Sequence, residues 1–185
     1  MGDNEVQERS LAERLVDDFV FPFAVFLFVF GIGLRLITAS RIPYFIVPTK
    51  SMYPVIKPGD ILFSEGWTLN AVKPGDIVVF RAYDALRHRW LWVVHRVIRL
   101  VHRHGKVYLI TAGDYNLQLC KQHHEPEVYC YDNGSLYPDT GLPLVHCPLF
   151  GKLHGFCVAG VVLEINGQPL KLPYIGKLLL GIRNL

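Results

Sequence analysis

The stretch Pro48-Thr-Lys-Ser-Met-Tyr-Pro54 runs into Lys57-Pro-Gly-Asp60 and the apolar Ile61-Leu-Phe63. Prolines at 48 and 54 restrict the backbone on both sides of Ser51, so its hydroxyl is held in one place. A hydroxyl becomes a nucleophile when a base takes its proton. The candidate base is His95, in Val93-Val-His-Arg-Val-Ile98, because an imidazole titrates close to neutral pH. On a strand, alternation puts Val93, His95 and Val97 on one face and Val94, Arg96 and Ile98 on the other. A serine in a Pro-rich stretch is ordinarily a turn residue, and a histidine among valines is ordinarily a packed core residue. The chain has eight histidines, but His88, His102 and His104 sit among arginines without the Arg-Val-Ile context. A Ser–His pair also needs a carboxylate to hold the imidazole tautomer. Two aspartates compete for that role, Asp114 in Gly113-Asp-Tyr-Asn116 and Asp132 in Tyr131-Asp-Asn-Gly-Ser-Leu-Tyr137, and Asp-Asn-Gly is also an ordinary turn.

The elements that position these groups are short apolar runs separated by Gly and Pro turns. Strands are predicted over residues 44–47, 61–63, 77–81, 90–101, 106–111, 128–131 and 156–165, with a hairpin at His104-Gly105. Lys73-Pro-Gly-Asp76 is a near-copy of Lys57-Pro-Gly-Asp60 and leads into a strand in the same way. Many strands at this spacing predict a mainly β fold, an antiparallel β-domain. Residues 138–155 read as loop, from their prolines and glycines.

Ahead of the domain, residues 19–34 carry no charge, and the apolar stretch runs on past Arg35 to residue 38. At about 1.5 Å rise per residue it is roughly 30 Å long, one bilayer core. Arg35 near its end can snorkel to the headgroups. A cleaved leader would have a basic flank, whereas the preceding segment is acidic. A buried helix of a small β-domain would not carry phenylalanines all round. The organisation expected is therefore a polar segment over 1–18, a transmembrane helix over 19–38, a β-domain over 39–171 and an apolar tail over 172–185. The tail is too short to span a bilayer.

Composition agrees with a membrane-tethered domain. Of the 185 residues 51% are hydrophobic and 19% charged, with a net charge of +3. That charge is too small to argue for nucleic acid, and no basic stripe with interleaved aromatics is present. No cofactor is expected. Cys120, Cys130, Cys147 and Cys157 fit no zinc spacing, and His123, His124, His146 and His154 lack two further ligands at recognisable spacing, so no metal is expected either.

Taken together, Ser-Met-x-Pro, Pro-Gly-Asp, Gly75-Asp-Ile-Val-Val-Phe80, His-Arg-Val-Ile and Thr111-Ala-Gly-Asp-Tyr-Asn116 resemble the type I signal peptidase family, in its order, over roughly residues 44–175. Bacterial members have a lysine base where this chain has His95, so the resemblance is to the endoplasmic-reticulum and archaeal Ser–His branch. Lys73, exposed ahead of its turn, is not expected to serve as that lysine. The resemblance implies Ser51 as nucleophile, its backbone N–H as an oxyanion donor, His95 as general base, Asp132 as the group that orients His95, and Asp114 as support from nearby. It also implies a membrane-bound serine endopeptidase acting on the signal peptides of secretory precursors, alongside other subunits of a signal peptidase complex. The catalytic domain would then face the lumen of the endoplasmic reticulum. The positive-inside rule points the other way if Arg35 is counted with Arg41 and Lys50 after the span, against Arg9 and Arg14 before it. The resemblance is preferred, because Arg35 lies within the span. In an oxidising lumen a Cys120–Cys130 bridge would clip the insertion over 117–130.

This chain departs from the family at Lys50, where a small residue is usual, and at the insertion, which delays Asp132 by roughly a dozen residues. These departures leave open a catalytically inactive, membrane-tethered β-domain that serves as an assembly subunit. An organelle inner-membrane processing peptidase is a further reading, but those resemble the Ser–Lys branch. A self-cleaving repressor would need a DNA-binding helical domain where the apolar span stands.

Overall fold

The computed structural model describes residues 14–66, 72–84, 87–125, 130–131, 142–153, 155–176 and 181. The chain forms two compact units, one ending at Ile37 and the other beginning at Thr38.

The described part of the first unit is a helix. A π-helical turn, Val16–Val20, leads into α1, Phe21–Thr38. Pro22 explains the widened turn. It has no N–H to donate, and its ring crowds the carbonyl four residues back, so the ladder loosens just ahead of it. The continuous helix Val16–Thr38 has 23 residues and contains an 18-residue stretch of mean hydropathy 2.3, so it is long and apolar enough to cross a membrane. Its phenylalanines at 19, 21, 23, 26, 28 and 30 are exposed.

The second unit is an antiparallel sheet in the order β1-β2-β7-β3-β4-β5-β6, with β10 also pairing β2. Its strands are β1 Tyr44–Ile46, β2 Ile61–Glu65, β3 Ile77–Asp84, β4 Arg89–Arg103, β5 Lys106–Ala112, β6 Leu142–Pro143, β7 Cys157–Val162 and β10 Lys171–Leu172. A separate ribbon pairs β8 Glu164–Ile165 with β9 Gln168–Pro169. A short helix, α2, Asp114–Gln122, follows β5 directly.

The mainly β fold expected from the sequence is what the chain adopts. The two Lys-Pro-Gly-Asp copies make the same turn. In each, the aspartate side chain accepts the lysine N–H (Lys57 N to Asp60 Oδ2 and Lys73 N to Asp76 Oδ2, both 2.9 Å), and the glycine has positive φ, 90° at Gly59 and 100° at Gly75. Strand alternation divides the core in two. Ile77, Val79 and Val94 pack with Met52, Ile56 and Leu62, while Val78, Phe80 and Val97 pack with Leu109 and Val158.

Three details differ from the sequence expectation. The strand expected over 156–165 is two strands, β7 and β8, broken at Leu163. Residues 128 and 129 of the strand expected over 128–131 lie outside the described residues, and Cys130 and Tyr131 are not in a strand. The start of the insertion is helical: α2 has Asp114 in its first turn and Lys121 in its last, charges that complement the helix dipole. The His102/Arg103–Lys106 hairpin closes through positive φ at His104 and Gly105, as expected.

Candidate active site

Ser51 sits on a closed loop between β1 and β2. Val47 and Gly59 close its base (Val47 N to Asp60 O 3.0 Å, Gly59 N to Val47 O 2.8 Å), and Tyr53 N and Ile56 N donate to Lys50 O and Met52 O, 2.9 Å each. Met52 and Ile56 are completely buried and pin the loop to the core. Tyr53–Pro54 is a cis peptide bond. Ser51 itself is half-buried, and its Oγ lies 3.2 Å from Thr49 Oγ1. Lys50, flagged in the sequence as unusual beside the serine, is exposed.

His95 lies in the middle of β4, opposite Val78 on β3, 8% exposed, with its ring edge-on to Phe80 at 6.2 Å. It therefore occupies the face shared with Val97, as alternation predicted.

The start of α2 joins the two. Tyr115 N donates to Ser51 O at 2.9 Å, and the Tyr53 and Tyr115 rings meet edge to face at 6.4 Å. Between serine and histidine lies Gly113, the residue that precedes α2. A Cβ placed on Gly113 would come within 2.5 Å of Ser51 O and 3.1 Å of His95 Nε2. Both groups thus crowd the same backbone atom, and only glycine leaves room for them. Its φ of −74° is open to any residue, so close approach and not backbone freedom demands glycine here.

Asp114 does something else. Arg96 Nε and Nη2 donate to its two oxygens at 2.8 and 2.9 Å, and Arg96 Nη1 donates to Gly75 O at 2.7 Å. This bidentate bond holds the Arg96 guanidinium charge above its ordinary pKa, the hydrogen bond outweighing partial burial. Arg96 is on the strand face opposite His95, so Asp114 locks the first turn of α2 to β4 and to the Gly75 turn.

Asp132 lies outside the described residues, but the chain just before it is tied down twice. Cys130 is buried and bridged to Cys120 on α2, and the Tyr131 ring lies 6.0 Å from the Arg99 guanidinium on β4. Cys147 and Cys157 form a second bridge. Each bridge closes a ten-residue separation, worth about 2–3 kcal/mol by loop entropy. Lys73 is exposed at its turn. Among the described residues no group of three or more His, Cys, Asp or Glu side chains could hold a metal ion.

The roles of Gly113, Arg96 and Thr49 were not read from the sequence. The signals were present: a glycine next to the Asp114 box, an arginine one residue out of phase with the histidine, and a hydroxyl two residues before the serine. None of these says which surface it will meet.

Fold and site define a β-sheet domain that carries a serine and a histidine against one glycine, preceded by a helix of membrane length. No family model matches the chain. Individual relatives do. It is 40% identical over 109 residues to the signal peptidase complex catalytic subunit SEC11 of Scheffersomyces stipitis, covering 58% of this chain and 60% of that one. It is 38% identical over 92 residues to SEC11 of Lachancea thermotolerans (48% and 51%), and 34% identical over 140 residues to SEC11C of Homo sapiens (74% and 64%). The chain thus matches less than two thirds of the length of each of these relatives. What the chain is similar to, in each case, is a catalytic subunit of a signal peptidase complex.

Proposed function

We propose that this chain is a membrane-anchored serine endopeptidase that cleaves the N-terminal signal peptides of secretory and membrane-protein precursors. The observation that carries the reading is the convergence of Ser51 and His95 Nε2 on Gly113. In this scheme His95 takes the Ser51 proton as the hydroxyl oxygen attacks the scissile carbonyl. It then donates that proton to the leaving amine, and later activates the water that hydrolyses the acyl-enzyme. The Ser51 backbone N–H is one donor for the oxyanion. Asp132 orients the imidazole, a role supported by the anchoring of Cys130 and Tyr131 beside α2 and β4. Asp114 supports the site from Arg96, since both its oxygens are already engaged there.

Residues 19–38 anchor the enzyme and 39–171 form its catalytic domain. Anchoring suits a substrate whose apolar segment is itself in the bilayer, because tethering raises effective concentration. An extended precursor with small residues before the scissile bond is the substrate shape that a sheet-based cleft accepts. The location proposed is the membrane of the endoplasmic reticulum, with the domain in the lumen. The two disulfides support this, as such bonds persist in oxidising compartments. Other subunits of a signal peptidase complex are the expected partners, on the names of the relatives.

The test is cleavage of a secretory precursor by the full chain in proteoliposomes supplied with its complex. Asp132→Asn is expected to lower kcat by about 10³-fold or more, the scale for losing the group that orients a catalytic histidine. Asp114→Asn is expected to lower it by about tenfold and to reduce stability, because Asn still accepts from Arg96 but no longer balances its charge. The reverse ranking would make Asp114 the orienting carboxylate. Equal cleavage by wild type and both variants would remove the aspartates from the mechanism.

Gly113→Ala is a more selective probe. Its methyl cannot stay 2.5 Å from Ser51 O, so the serine loop and the start of α2 must separate by several tenths of an ångström. A full 1 Å of misplacement can cost about 10²-fold in turnover, so a shift of several tenths should cost about tenfold. kcat should fall with KM little changed, while the thermal melt moves by only a few degrees.

A further inference from the structure

The β3–β4 hairpin carries an exposed aromatic and cationic cluster that the cleavage reaction does not use. Tyr83 and Trp90 face each other across the register, 44% and 40% exposed, with ring centroids 5.3 Å apart. The Arg81 guanidinium stacks over Trp90 at 4.6 Å. Beyond them Arg87, His88 and Arg89 are all exposed, and the acid on this tip, Asp84, is paired with Arg87 at 2.8 Å.

Strand register says which way this tip points. The second unit begins at Thr38, whose carbonyl accepts from Gly66 N just past the end of β2. Ser40 Oγ donates to Ala159 O on β7. Gly160 pairs with Val79 on β3, so the chain enters this unit level with Val79 and Phe80. It then turns into β1, antiparallel to β2. β2 and β3 both run antiparallel to β7, hence parallel to each other in direction. The hairpin therefore projects from that level toward the side on which the chain enters. Tyr83 is three to four residues farther on, about 10–13 Å at ~3.3 Å per residue. The same rim holds Phe150, 50% exposed, on a loop that Arg41 fixes through Pro148 O and Gly151 O and that the Cys147–Cys157 bridge joins to the Arg81 partner.

We infer that this hairpin tip is a bilayer-contact surface, with Trp90 and Tyr83 seated at the headgroup level and Arg87 and Arg89 on anionic lipid. Tyr and Trp, with apolar bodies and polar edges, are the side chains that membrane interfaces select. Basic residues beside them gain roughly 1 kcal/mol each near an anionic surface. A protein partner would call for a desolvated apolar centre, whereas here the aromatics are ringed by charge. The inference rests on the reading of Val16–Thr38 as a membrane span.

The experiment uses the full chain in vesicles of phosphatidylcholine with and without phosphatidylserine, carrying Trp67→Phe and Trp92→Phe so that Trp90 alone emits. Its circular dichroism melt is compared with wild type. Lipids brominated near the top of the acyl chains should quench Trp90 at least about twofold, and aqueous iodide should quench it several-fold less than a free tryptophan, as for belt residues. Arg87→Glu with Arg89→Glu should reduce the bromine quenching when phosphatidylserine is present. If the chain resists alkaline extraction while Trp90 ignores bromine and is open to iodide, the tip stands in water and the inference is wrong. Shielding from iodide without bromine quenching overturns it as well, in favour of a tip covered by protein. Release of the chain by alkali would overturn the anchor reading, and this inference with it.

Discussion

Ser51→Ala is expected to abolish precursor cleavage, lowering kcat by at least about 10⁴-fold, the scale on which serine hydrolases lose turnover without their nucleophile. Little else should change. The side chain is half-buried, its hydroxyl bonds Thr49 at 3.2 Å, and one exposed hydroxyl–hydroxyl bond contributes about 1 kcal/mol or less. The Tyr115 N–H bond is to the Ser51 backbone, so the junction between the serine loop and α2 survives. The variant should therefore fold, bind precursor with KM near wild type where cleavage can still be followed, and fail at the chemical step. An acyl-enzyme trapped from wild type and absent from Ser51→Ala would identify the oxygen that is attacked. Wild-type cleavage by Ser51→Ala would make the chain an assembly subunit and leave the fold as its only contribution.

Replacing His95 should be almost as damaging, again by about 10⁴-fold in kcat, but the structure makes the choice of replacement matter. The ring is 8% exposed and packs edge-on to Phe80, so His95→Ala opens a cavity between β3 and β4 that costs on the order of 2–4 kcal/mol. Loss of activity in that variant alone would not separate chemistry from packing. His95→Gln keeps most of the volume and can still accept or donate one hydrogen bond, but it cannot shuttle a proton near neutral pH. The expected result is an inactive His95→Gln whose melting temperature stays close to wild type. Because base and nucleophile act as a unit, Ser51→Ala with His95→Gln should be no worse than either alone. Multiplying losses would mean that the two residues act in separate steps.

The site was legible in the chain to the extent that its chemistry is carried by residue type in a local frame. Ser51 between prolines and His95 among valines each stood out from their neighbours, and strand alternation assigned His95 its face. The apolar run to residue 38 was equally plain, because helix length against bilayer thickness depends on consecutive residues only. The choice between Asp114 and Asp132 was not legible, since both sit in turn-like motifs and a carboxylate's role depends on which cation reaches it first. Folding brings Arg96 to Asp114 from 18 positions away, because β4, β5 and α2 pack in succession.

What the sequence alone determined, then, is the alphabet of the site and the period of its supports: a restrained serine, a strand histidine, paired Pro-Gly-Asp turns and an apolar helix. These follow from backbone restriction and from periods of 2.0 and 3.6, which are properties of neighbours. Tertiary structure decided the rest. It set Gly113 where a methyl would strike both Ser51 and His95, turned the start of the insertion into α2, joined Cys120 to Cys130 and Cys147 to Cys157, and aimed the Tyr83–Trp90 hairpin past the point where the chain enters the domain. The Gly113 contacts in particular are distances between atoms far apart in sequence, with Ser51 and His95 on separate elements. Such distances are set by the packing of whole strands, on which no local pattern reports.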